Sequence, residues 1–165
     1  MKKIALILLM GWLSIGLFGG GIPGTAALAS PQTTEVAAAA TDNTASFSEV
    51  DKFLQAIPSD YYAVQQIGTL KGMLQGKAVL LIDVREPSEF RHGHIPGAIN
   101  IPVRSLTHNL DKIPKDRPVV LYCSSGYRTA MGVMALQMLG YSNIRGFPPS
   151  LQGWKAGGEP IVSSD

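Results

Sequence analysis

Two short apolar runs constrain this chain most: Ala78-Val79-Leu80-Leu81-Ile82 and Val119-Val120-Leu121-Tyr122. Neither alternates between apolar and polar residues. A strand of that kind has no solvated face, so it belongs in a parallel sheet covered on both sides. The first run ends at Asp83 and the second at Cys123. Residues 98–101 and 143–145 are shorter strand candidates, and residues 61–64 are a candidate edge strand. Helical segments lie between them. Residues 70–74 read as a short helix closed by Gly76. The longest helix, residues 128–139, is apolar nearly all round through Ala130, Met131, Val133, Met134, Leu136, Met138 and Leu139, and Gly140 terminates it. It is expected to be largely buried against a sheet, with the three methionines at core spacing. Strands alternating with helices build βαβ units. Ligands bind such sheets at the carboxyl ends of the strands, so Asp83 and Cys123 are expected at one rim.

The chain has 165 residues, the length of one domain. Its N-terminus reads apart from that domain. Lys2 and Lys3 precede an apolar run from Ile4 to Phe18, glycines and Pro23 follow, and Ala27-Leu28-Ala29 stands before Ser30. That is the order of a secretory signal peptide over residues 1–29 with an A-x-A cleavage site. Left uncleaved, the segment would be a membrane anchor, although the run is short beside a span of about 20 apolar residues. Export implies a periplasmic or other extracytoplasmic location. Cleavage removes two of the 14 basic residues and none of the 12 acidic ones, so the mature chain is near neutral. No basic run recommends nucleic acid or an anionic membrane surface as a partner. Residues 30–45, rich in Ala and Thr, read as a flexible linker. Residues 46–67 read as a helical extension. Ser46 or Ser48 can cap a short helix with Val50, Phe53, Leu54 and Ile57 on one face, ended by Pro58.

Cys123 is the only cysteine. Exported cysteines usually pair, and this one has no partner within the chain. It is either a buried inert residue or a free thiol kept for chemistry. Its surroundings favour chemistry. The segment Leu121-Tyr122-Cys123-Ser124-Ser125-Gly126-Tyr127-Arg128-Thr129 leaves a buried strand and enters a buried helix through a short loop of small residues. Such a loop can turn successive N–H groups inward at the positive end of the helix, making an anion nest. A thiolate is one such anion, and cysteines at helix N-termini or beside cations ionise more readily than free cysteine. Arg128 adds a planar, fixed charge suited to a sulfonate or phosphate.

These residues resemble the rhodanese family, the thiosulfate sulfurtransferases. Cys123-Ser124-Ser125-Gly126-Tyr127-Arg128 is similar to that family's Cys-x-x-Gly-x-Arg loop. Leu81-Ile82-Asp83-Val84-Arg85-Glu86-Pro87-Ser88-Glu89-Phe90 and Gly93-His94-Ile95-Pro96-Gly97-Ala98-Ile99-Asn100-Ile101-Pro102 resemble its first strand and turn and the segment that follows. Trp154-Lys155-Ala156-Gly157-Gly158-Glu159-Pro160 resembles its closing helix and tail. The resemblance implies a rhodanese-like domain over residues 68–162: an α/β fold with a parallel sheet of about five strands, flanked by helices on both faces. It implies that Cys123 attacks a sulfur donor such as thiosulfate, becomes a persulfide, and passes the sulfur to a thiol or cyanide. Ser124, Ser125, Gly126, Tyr127 and Arg128 would bind the substrate, with no metal or organic cofactor. One departure stands out. Members commonly carry two glycines before the closing helix, where this chain has Pro149 and Ser150, preceded by Pro148. Related phosphatases of the same fold place five residues between Cys and Arg, wide enough for phosphate. Here four residues separate Cys123 from Arg128, which ranks phosphatase or arsenate reductase activity below sulfur transfer.

Asp83 and Arg85 are candidate supporting residues. Either Arg85 adds positive potential to the pocket and Asp83 orients it, or Asp83 caps the strand and Arg85 pairs with Glu86 or Glu89. His92 and His94 lack a third ligand of suitable spacing, so a structural hydrogen bond from His94 is expected rather than a metal site. His108 is expected to be exposed and Trp154 to lie in the core. A non-catalytic binding or sulfur-sensing module is the alternative function, with residues 47–57 as a candidate docking helix for a protein partner. A redox role lacks a resolving cysteine.

Overall fold

The computed structural model describes residues 32–76 and 78–164. The expected signal peptide lies outside them. The elements run α1 (Gln32–Gln55), α2 (Ile67–Gln75), β1 (Leu80–Asp83), α3 (Pro87–His92), β2 (Ile99–Asn100), two 3-10 helices (Val103–His108 and Leu110–Lys112), β3 (Val119–Tyr122), α4 (Tyr127–Met138), β4 (Ile144–Gly146) and α5 (Ser150–Ala156). All strand pairs are parallel, in the order β2-β1-β3-β4.

The two apolar runs occupy the centre of the sheet, where each strand is covered twice. Along β3, Val119 and Leu121 enter one core with Ile82, Val133, Leu136 and Ile144, beneath α4. Val120 and Tyr122 enter a second core with Leu70, Phe147, Leu151 and Trp154, beneath α2 and α5. Helices therefore cover both faces, as the continuous apolar runs require. Trp154 is buried, meets Phe147 edge-on, and donates from Nε1 to the Pro160 carbonyl at 2.7 Å.

Three expectations are corrected. The described residues form a sheet of four strands rather than about five. The edge expected at residues 61–64 reduces to a single bridge between Ala63 and Gly146. Tyr61 and Tyr62 are left-handed, at φ of 52° and 55°, so the chain turns there and is extended too briefly to form a ladder. Second, α1 runs unbroken through residues 32–45, the stretch expected to be a flexible linker. Alanine is the best helix former, and Ala37–Ala40 carry the helix through. Ser46 and Ser48 are thus interior to α1 and cap nothing. Third, α4 is buried on one side only. Thr129, Gly132, Val133 and Leu136 face the sheet, while Met131 and Met138 are exposed. A residue-type count overstated its burial because a one-layer helix needs only a stripe of apolar contacts.

Candidate active site

Asp83 and Cys123 do share the carboxyl rim. In the β1–β3 register Asp83 stands opposite Tyr122, so its side chain lies on that residue's face of the sheet, while Cys123 lies in the other core. The rim is common and the faces are opposite, so Asp83 stands away from the thiol.

Arg85 follows the same separation. Its guanidinium grips Asp83 through Nε at 3.0 Å to both carboxylate oxygens and through Nη2 at 2.5 Å, and Nη2 also donates to the Gly93 carbonyl at 2.7 Å. Both residues are buried. Burial works against the Arg85 charge, but the Asp83 hydrogen bonds outweigh it and hold the guanidinium more basic than usual. Arg85 therefore fastens the end of β1 to the Gly93 turn. It adds no free charge to the pocket, and it pairs with neither Glu86 nor Glu89. Nearby, His94 is buried, stacks on Phe90 at 3.6 Å, and has Nδ1 2.9 Å from the Phe90 carbonyl. His92 and His108 are exposed.

The loop from Cys123 to Gly126 curls back on its own sulfur. The Gly126 N–H donates to Cys123 Sγ at 3.1 Å. Gly126 makes this turn at φ of 98°, and a Cβ there would stand 2.9 Å from the Pro148 carbonyl oxygen. Only glycine satisfies both conditions. Burial pushes the Cys123 thiol up, but the hydroxyl and N–H of Thr129 and the N–H groups of Ser125 and Gly126 bring it below the ordinary thiol range. The sulfur is thus buried and poised toward the thiolate.

Glu89 is a residue the sequence reading did not assign to the site. Its carboxylate takes Arg128 Nη1 at 2.6 Å and Nη2 at 2.9 Å, and Ser124 Oγ at 3.2 Å. Ser124 Oγ in turn accepts from Arg128 Nη2 at 3.0 Å. Glu89 also closes a capping box at the start of α3, accepting the Glu86 N–H at 3.2 Å. These bonds hold its carboxyl at about 2, with Arg128 the largest contributor. Arg128 therefore brings a neutralised, fixed guanidinium to the loop, where the sequence implied a free fork. The Glu86-Pro87-Ser88-Glu89 capping signature was legible, but nothing in it indicated which cation would meet the carboxylate.

Ser150, in the loop where this chain departs from the two glycines, is the other neighbour of the sulfur. It is fully buried, and its Oγ accepts the Cys123 N–H at 3.3 Å and lies 3.9 Å from Sγ. The first turn of α5 also grips the loop, Leu151 N–H donating to the Cys123 carbonyl and Gln152 N–H to that of Ser124, both at 3.0 Å. On the outer side, Ser125 and Gly126 border an apolar cavity of about 580 Å³, walled by Phe53 of α1, by Ile57 just beyond it, and by Tyr62, Met134 and Pro148. Ser125 and Tyr127 are exposed. Phe53 stacks on Tyr62, while Phe47 and Leu54 of α1 are exposed.

A parallel α/β sheet that presents a hydrogen-bonded thiol on a strand–loop–helix turn defines a cysteine-loop group-transfer domain. Residues 67–157, more than half of the chain, match the family model of the Rhodanese-like domain, and the chain belongs to the rhodanese-like family. It is similar to a sulfurtransferase of Allochromatium vinosum, 37% identical over 87 residues that make 53% of this chain and 81% of the relative. It is also similar to the thiosulfate:glutathione sulfurtransferase of Saccharomyces cerevisiae, 38% identical over 93 residues, covering 48% of this chain and 67% of that one. A matched Bacillus subtilis protein is spanned over 59% of its length. Among solved structures, a rhodanese-related protein from Thermoplasma volcanium matches at a TM-score of 0.51 and 34% identity, over 56% of this chain and 91% of that one. A human single-domain sulfurtransferase matches at 0.53 and 27%, over 55% and 92%. Sulfur transfer is the general chemistry of these relatives.

Proposed function

We propose that this protein moves sulfane sulfur from a small donor such as thiosulfate to a thiol or cyanide acceptor through a persulfide on Cys123. The observation that carries the proposal is the buried Sγ with the Gly126 N–H at 3.1 Å, inside a loop whose other donors also favour the thiolate. In the first step the thiolate attacks the outer sulfur of thiosulfate. A Cys123 S–S bond forms, the bond to the sulfonate sulfur breaks, and sulfite leaves with the electron pair. In the second step an acceptor thiolate or cyanide attacks the outer sulfur, and Cys123 leaves as the thiolate. Loop N–H groups stabilise the negative sulfur at both stages. The Glu89–Arg128 pair weighs against a phosphatase, since the guanidinium fork is already engaged by a carboxylate. We further propose export, supported by the Lys2-Lys3, apolar and Ala27-Leu28-Ala29 order, so that the domain works outside the cytoplasm.

The test is mass measurement of the purified domain after thiosulfate, followed by cyanide and a thiocyanate assay. The expected gain is one sulfur, about 32 Da, removed by cyanide. Both signals should vanish in Cys123→Ser. A wild-type protein that takes no sulfur from thiosulfate or polysulfide would overturn the proposal and leave the binding-module alternative.

A further inference from the structure

We infer that Ser150 is a positioning residue for sulfur chemistry, its hydroxyl turning from the Phe147 carbonyl to Cys123 Sγ whenever that sulfur becomes negative. This deepens the sulfur-transfer reading and rests on it for the rate effects, though not for the effect on the thiol itself.

The geometry supplies each part of the switch. Ser150 Oγ donates to the Phe147 carbonyl at 2.9 Å and accepts the Cys123 N–H at 3.3 Å. Its single proton is therefore committed while the thiol is neutral. The Phe147 carbonyl also receives the Ser150 N–H at 3.0 Å, so it keeps a donor if the hydroxyl turns away. Sγ stands 3.9 Å from Oγ, a contact open in the resting form that ionisation can tighten. Thr129 Oγ1, 3.5 Å from Ser150 Oγ, links the hydroxyl to a second group that favours the thiolate. No proton is transferred between Ser150 and Cys123. The thiol proton leaves to water or a general base, and the serine proton only changes acceptor.

The backbone shows that this side chain is held against a local preference. Ser150 has φ of 53°, in the left-handed region where glycine is unstrained and a Cβ is not. Strain of this kind persists where the surrounding structure over-determines the residue, and it clusters at functional sites. Here glycine would relax the backbone and remove the hydroxyl in one change.

The effect on the two half-reactions differs in sign. A donor to Sγ makes Cys123 a weaker nucleophile per thiolate but a better leaving group. Ser150 should therefore slow persulfide loading slightly and speed discharge to the acceptor.

Ser150→Gly and Ser150→Ala test this in the full mature domain, by the pH dependence of Cys123 alkylation with iodoacetamide and by single-turnover loading from thiosulfate and discharge to cyanide. The alkylation midpoint should rise by about one pH unit in both variants, the effect of one charge-assisted hydrogen bond. Above that midpoint loading should quicken about threefold and discharge should slow by about as much. Ser150→Gly should melt no lower than wild type, separating the effect from unfolding. An unchanged alkylation midpoint in Ser150→Gly, or both half-reactions falling together, overturns the assignment. A shifted midpoint in a protein that takes no sulfur would retain the Ser150–Cys123 contact and refute sulfur transfer instead.

Discussion

Replacing Glu89 with glutamine removes one negative charge from a carboxylate that touches Arg128, Ser124 and the start of α3 at once. The magnitude follows from its ionisation. The carboxyl lies at about 2, against 4.5 when unperturbed. Taken whole, such a shift corresponds to about 3 kcal/mol. The carboxylate side chain is 35% exposed and that of Arg128 29%, so solvent screening reduces the stabilisation to about 1–2 kcal/mol. The sign is that of a depressed acid: the contribution is complete above pH 4.5 and is lost as pH falls toward 2. Urea denaturation of wild type and Glu89→Gln should therefore differ by about 1–2 kcal/mol at pH 7 and by less than about half of that at pH 3. The same change releases the Arg128 charge into the pocket, so loading from dianionic thiosulfate should become faster and more sensitive to salt. A stability difference that is equal at pH 7 and pH 3 would refute the ion pair as its origin. Loading that does not respond would refute the claim that Glu89 neutralises Arg128.

Further outcomes follow from the same contacts. Arg85→Ala leaves the Asp83 carboxylate buried without its partner and should cost about 3–5 kcal/mol by denaturant midpoint, while the alkylation midpoint of Cys123 stays put, because the clamp is on the other face of the sheet. Gly126→Ala must place a Cβ against Pro148 at φ of 98°; it should lower the melting temperature and slow alkylation together as the N–H leaves Sγ. Thr129→Val should raise the pH at which Cys123 alkylates, since the Thr129 hydroxyl is the foremost of the groups that lower it. Arg128→Ala should weaken use of thiosulfate more than transfer from an uncharged persulfide donor, measured as separate loading rates.

The centre of this fold was legible because double burial leaves a plain mark. Residues 80–83 and 119–122 had to be inner parallel strands, and the loop after Cys123 had to be a turn into a helix. Motif spacing likewise identified Gly126 and the thiol. What escaped was set by contacts between distant segments. Glu89 and Arg128 are 39 residues apart, and Ser150 follows Cys123 by 27. Pairing across such separations leaves no periodicity to read. The Pro149-Ser150 departure was visible as a substitution, but only the backbone angle and the position of Oγ give it meaning. Residues 32–45 escape for another reason: they carry no apolar rhythm, and alanine forms helix by propensity without one.

The hold of α5 on the loop carries over to the kinetics of the site. Pro148 and Pro149 have no N–H, so the donors of Leu151 and Gln152 that close on Cys123 and Ser124 belong to a segment anchored by Trp154. The Cys123 and Ser124 carbonyls are then released as that helix lifts. Amide exchange at Leu151 and Gln152 becomes a clock for the reactive loop, timed by local opening of the C-terminal helix rather than by events at the sulfur.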